Sequence, residues 1–320
     1  MHKLITSLAL TSTLVITQAC SSLSVSDNAG IEATEQHQSK ATNSPAKENK
    51  ETNGSLKDTH PEAHQNNHGN HQDDQGTHSK TPTPITEAKL ISSAKINPNT
   101  NVNLAIAIQD LEGKAIKNFE VFQEKLMHLI VVSDDLQFFQ HLHPEYKDNG
   151  RFEIVTNFPQ AGGYTLFSDY KPSKAQEQIS VLKTQVTGLN ATTSIIDFNN
   201  SKTFGKTKID LNTSSVNGEL TKINAGEEVT LTFDLQDTVT NQAPTDLQPY
   251  LGEKGHLVIL RQSNPLTAAS YIHAHALENT PMGKISFKAK FPQSGKYKLW
   301  GQFKRDGEVI TGDFWLNVSN

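Results

Sequence analysis

Three stretches of the chain alternate apolar and polar residues on a period of two: residues 102–108 (VNLAIAI), 229–235 (VTLTFDL) and 285–291 (ISFKAKF). Successive side chains of a strand point to opposite faces, so this texture predicts strands with one face on a core. The first two run into the same pair, Gln109-Asp110 and Gln236-Asp237. Turn signals follow such segments at Glu112-Gly113, Asn149-Gly150 and Asp306-Gly307. No segment holds a helical period over three turns. The pattern predicts an all-β protein with two tandem antiparallel β-sandwich (immunoglobulin-like) domains, at residues 85–190 and 200–320.

The folded part is also written twice. Residues 127–132 (MHLIVV), 139–143 (FQHLH) and 158–166 (FPQAGGYTL) reappear as 255–260 (GHLVIL), 271–275 (YIHAH) and 291–299 (FPQSGKYKL). Tyr164 and Tyr297 each precede a leucine by two residues, the spacing of the tyrosine corner of immunoglobulin-type sandwiches. Their hydroxyls are expected to bond backbone upstream. Phe158-Pro159 and Phe291-Pro292 should end the preceding strand, because proline cannot continue a central ladder.

Each copy places histidines at the same three positions: His128, His141 and His143, then His256, His273 and His275. Residues two apart in a strand share a face, with Cα atoms about 6.5–7 Å apart, so each His-x-His pair can close on one ion. The histidine of the preceding strand completes a three-nitrogen site if the two strands pair antiparallel. Imidazole suits both zinc and copper. Glu145 follows the first pair and Ala276 the second, which predicts a tighter first site with Glu145 as an added carboxylate. Met127 should face the opposite way, into the core. Packing histidines kept in both copies are the competing explanation.

The rest of the chain changes the setting. Leu4 to Thr17 is mostly apolar and small, follows Lys3, and ends at Ala19-Cys20, which predicts a lipoprotein-type signal peptide over residues 1–20 with lipidation at Cys20. Cys20 is the sole cysteine of the 320 residues, so the domains have no disulfide and no thiolate metal site. Residues 21–84 are polar and nearly free of large apolar side chains, which predicts a disordered His-rich tether spanning about 45 Å. Its His60, His64, His68, His71 and His78 form a weaker candidate metal site. Net charge is −5 with no basic block, which gives no support to a nucleic-acid partner.

The strings around Met127–Ser133, Phe139–Glu145 and Phe158–Phe167 resemble bacterial envelope proteins with immunoglobulin-like or cupredoxin-like sandwiches, of the kind associated with copper or heavy-metal handling. The resemblance spans residues 95–175 and again 222–318, and implies the two histidine triplets as candidate ligands. The expected function is an exported, lipid-anchored protein of the cell envelope that binds copper or zinc and buffers or delivers it. The membrane is its expected partner through Cys20, with an envelope metal-transport or interaction protein as another. A non-metal interaction module is the alternative. A metal-dependent hydrolase with Glu145 as base is the least favoured, since no substrate signature or nucleophile motif accompanies the histidines; no catalytic residue is assigned.

Overall fold

A computed structural model describes residues 85–320 apart from 92–94, 189–194, 216–217, 220 and 275, and without the side chains of Glu219 and His273. The expected signal peptide, Cys20 and the histidines of the expected tether lie outside the described residues, as does His275. The described residues fall in one compact unit. Among them there is no α-helix, only strands and one 3-10 turn at Ala268–Ser270.

The first half holds β1 (Thr86–Leu90), β2 (Asn101–Asp110), β3 (Phe119–Glu120), β4 (Met127–Ser133) and β5 (Phe139–Leu142). It continues with β6 (Glu145–Tyr146), β7 (Arg151–Asn157), β8 (Gly162–Pro172) and β9 (Gln178–Val186). One sheet runs β1-β2-β7-β6; the other runs β3-β8-β4-β5, with β9 also on β8. The second half opens with β10 (Ser201–Phe204), β11 (Thr207–Ser215), β12 (Gly218–Glu219), β13 (Ile223–Asn224), β14 (Glu228–Asp237) and β15 (Leu247–Gln248). It closes with β16 (His256–Arg261), β17 (Tyr271–Ala274), β18 (Lys284–Lys290), β19 (Gly295–Arg305) and β20 (Glu308–Ser319). Its sheets are β10-β11-β14-β18 and β13-β20-β19-β16-β17. The alternating segments become β2, β14 and β18, each with one face on its sandwich core.

The repeated small motifs have local causes. Asp110 Oδ1 accepts from the Glu112 backbone N–H at 3.0 Å, and Asp237 Oδ1 from that of Val239 at 3.0 Å, so each aspartate closes the turn after its strand. Asp306 and Gly307 both take positive φ, 53° and 84°, in the two-residue loop between β19 and β20. The Tyr164 hydroxyl donates to Gln160 O at 2.9 Å and that of Tyr297 to Gln293 O at 2.7 Å, while both rings are buried. Tyr164→Phe and Tyr297→Phe are each expected to cost about 1 kcal/mol of unfolding free energy, read by urea denaturation. A neutral result at both positions would show that the corner carries no net hydrogen-bond stabilisation.

Strands β4 and β16 break the alternating pattern: every residue from Met127 to Val132 and from His256 to Leu260 is buried. Such continuous apolar runs belong to strands covered on both faces. In β4, Met127, Leu129 and Val131 enter the first sandwich core, while Ile130 and Val132 point the other way. In β16, Leu257 and Ile259 enter the second core, and Val258 and Leu260 point out of it. The outward sets meet. Ile130, Val132 and Phe167 of the first copy form one buried cluster with Val258, Leu260, Tyr271, Trp300 and Trp315 of the second.

The seam is reciprocal. Phe139 of β5 stacks on Trp300 of β19 (centroids 4.8 Å, 14° between planes), and Tyr271 of β17 packs on Phe167 of β8 at 5.3 Å. In the repeat Phe139 corresponds to Tyr271 and Phe167 to Trp300. Each copy thus inserts the same aromatic into the same place on the other, the self-complementary logic of a two-fold interface realised within one chain.

Candidate metal centre

The histidines lie at one end of this seam. β4 and β5 pair antiparallel, with Ile130 opposite His141, which puts His128 and His141 on the outward face. His143 sits one residue beyond β5 and returns to the same side. Each of the three offers a donor nitrogen within 4.8 Å of the others. Their ring centroids are 5.2 Å (His128–His141), 5.1 Å (His128–His143) and 4.8 Å (His141–His143) apart. Imidazoles on a tetrahedral ion with metal–nitrogen bonds of about 2.0–2.1 Å have centroids about 5 Å apart. The ring spacing fits.

Proton bookkeeping at the rings points the same way. His128 Nε2 lies 3.2 Å from Phe122 O, which can only accept, so Nε2 carries a hydrogen and Nδ1 is the acceptor of the neutral ring. His141 Nδ1 lies 2.7 Å from Gln302 Oε1, so there Nδ1 carries the hydrogen and Nε2 the lone pair. The nitrogens left over, His128 Nδ1 and His141 Nε2, face each other at 3.0 Å. A proton on either of these nitrogens makes the contact a hydrogen bond, and a cation can take that proton's place. A tetrahedral edge around zinc is about 3.3 Å, a few tenths longer. The ring N–H of a metal-bound histidine is commonly anchored on a carbonyl oxygen, as both are here.

His143 Nε2 is buried with no hydrogen-bond partner. Burial, then the neighbouring His128 and Lys125, pushes the His143 imidazole down to about 4. The ring is therefore neutral near pH 7 and keeps a donor lone pair. Because the fold favours the unprotonated ring, its contribution to stability is complete above the unfolded value of about 6.5 and is lost as pH falls toward 4. In chelated, metal-free protein this loss is expected to reach about 2 kcal/mol, less than the full shift because the ring is partly open to water. Urea melts from pH 7.5 to 4 read it, and His143→Gln should flatten the curve over that range.

Two expectations change. Glu145 does not join the group: β6 pairs with β7 in the opposite sheet, its carboxylate is exposed, and it pairs with Lys147. The reason offered for a tighter first site thus falls away. The second change is an addition: His256 packs its ring against those of His128 and His141, while the side chains of its expected partners His273 and His275 lie outside the described residues. His273 pairs with Val258 in β17. Met127 is buried in the first core.

Sequence reasoning missed Gln302 and Asp169. Gln302 stands opposite His256 on β19, and Asp169 opposite His128 on β8, so they are equivalent positions of the repeat. Both are buried, Gln302 5% and Asp169 1% exposed. Their signal was the shared offset after the Tyr-x-Leu motif, visible only once the copies are laid over each other.

One family model matches the chain twice, over residues 85–187 and 207–320, and is described as a domain of unknown function, DUF8832. No curated protein matches the chain. Among solved structures, the chain is similar to invasin, a bacterial integrin-binding protein, at 13% identity and TM-score 0.22, over 74% of this chain and 40% of invasin. The D00-D0 domain of intimin matches at 10% identity and TM-score 0.21, over 72% of this chain and 99% of that one. Escherichia coli alpha-2-macroglobulin matches at 14% identity and TM-score 0.24, over 74% of this chain and 14% of that one. Similarity at this level carries no argument about fold or function.

Proposed function

The chain belongs to that family, with two copies in tandem, and we propose that it is a metal-binding protein of the cell envelope that buffers or delivers copper or zinc. The observation that carries this reading is the pair of donor nitrogens at 3.0 Å, each on a ring whose other nitrogen is anchored on a carbonyl oxygen, beside the buried His143 Nε2. The ligand set contains no thiolate, which suits binding and hand-over of Zn²⁺ or Cu²⁺ better than blue-copper electron transfer. Export and lipid attachment through Cys20 rest on the N-terminal sequence. The polar tether would hold the sandwiches away from the membrane, and its histidines would capture ions loosely. We assign no catalytic residue: Glu145, the one candidate base, points to solvent and pairs with Lys147.

A second reading, an envelope interaction module whose histidines only pack, draws on the apolar seam, since its aromatic stacking joins the sandwiches without an ion. Calorimetric titration separates the two. The full chain with His37, His60, His64, His68, His71 and His78 replaced by Asn should bind Zn²⁺ or Cu²⁺ saturably at submicromolar concentration. Absence of saturable binding would leave the interaction module.

A further inference from the structure

We propose that the ion is held across the seam, with His256 of the second sandwich as a fourth ligand and Gln302 as the residue that positions His141. This rests on the metal-binding reading above. His256 is 2% exposed, and its ring centroid lies 4.6 Å from that of His141 and 5.7 Å from that of His128. With the three pairs of the first triplet, five of the six pairs among the four rings fall between 4.6 and 5.7 Å. That range brackets the spacing of about 5 Å expected for imidazoles sharing a tetrahedral ion. Three ligands leave such a shell open, and a buried fourth imidazole from the facing sandwich closes it.

Gln302 ties the same centre to the second sandwich by another route. Its amide Nε2 donates to Thr311 Oγ1 at 3.3 Å, which turns Oε1 toward His141 Nδ1. The carbonyl oxygen fixes the hydrogen on Nδ1, and so the lone pair of His141 on Nε2, where His128 faces it. The second sandwich thus sets the tautomer of a first-sandwich ligand while supplying one of its own. Ion binding and docking of the sandwiches become one linked equilibrium: an ion that needs both halves stabilises the docked arrangement and loses affinity when the seam opens.

The test uses the full chain with all six tether histidines, His37 included, replaced by Asn and titrated with Zn²⁺. His256→Ala should weaken binding at least tenfold, and Gln302→Leu by about 10–100-fold, the usual effect of removing a partner behind a ligand. Gln302→Glu should hold or tighten binding, because a carboxylate accepts the same hydrogen bond. A merely packing role for Gln302 would give the opposite order, with Leu tolerated and Glu harmful. His141→Ala with His143→Ala serves as the reference. Loss in that variant with unchanged affinity in His256→Ala and Gln302→Leu would overturn the cross-seam centre and leave a first-sandwich site. Unchanged affinity in all of them would overturn the metal reading itself. Should His256→Ala fail to fold, the Co²⁺-loaded chain with His256 intact decides: visible bands that ignore added azide indicate a closed four-ligand shell, and bands that shift with azide indicate an open position and contradict the proposal.

Discussion

Replacing His141 and His143 together by Ala is expected to weaken zinc or copper binding by the folded domains at least about a thousandfold, or about 4 kcal/mol. The size follows from what the two side chains do. They supply two of the three clustered donor nitrogens, and the His143 ring holds a buried nitrogen with no hydrogen-bond partner. Of the proposed shell only His128 and His256 would remain, half of the four imidazoles that a closed tetrahedral site needs. The variant should keep its fold, because neither ring belongs to an apolar core cluster. Its metal-free melt, compared with the parent at pH 7.5, checks that. Binding retained within a few-fold would place the ion elsewhere.

The largest effect on stability is expected from Trp300→Ala, at about 3–5 kcal/mol in urea denaturation. Trp300 is 3% exposed, stacks on Phe139 of the other sandwich and flanks the buried Lys298 ammonium, 5.8 Å from its ring. Burial pulls the Lys298 amine below its usual range, against the opposing pull of its partner Asp313. Removing the indole opens a cavity at the centre of the seam and strips one face from that ammonium. Phe139→Ala should cost less, and the double variant less than the sum, with a coupling of about 1 kcal/mol from the stacked pair. A loss below about 1 kcal/mol for Trp300→Ala would mean that the two sandwiches do not depend on this contact.

Much of this was legible in the sequence. Alternation placed β2, β14 and β18, the repeated Tyr-x-Leu placed both tyrosine corners, and the His-x-His spacing brought His128, His141 and His143 together. What stayed hidden was the seam. The runs at 127–132 and 255–260 lack alternation, which is the sign of a second buried face, and Val258 and Leu260 fill that face in the seam cluster. Without the seam, two triplets imply two separate sites, and His256 has no reason to meet His141. Gln302 was invisible for a related reason: its role depends on contact with a residue of the other copy, and nothing local to 295–305 marks it. Glu145 shows the opposite error. Adjacency in sequence made it a candidate, while the chain after Pro144 crosses to the opposite sheet and turns the carboxylate to water.

The most direct test of the central claim is a crystal structure of the zinc-loaded chain with anomalous diffraction at the zinc edge. The account predicts a peak at the seam, about 2.0–2.1 Å from a nitrogen of each of His128, His141 and His143. An undisturbed His128–His141 hydrogen bond, with zinc absent from the seam or bound elsewhere, would contradict it.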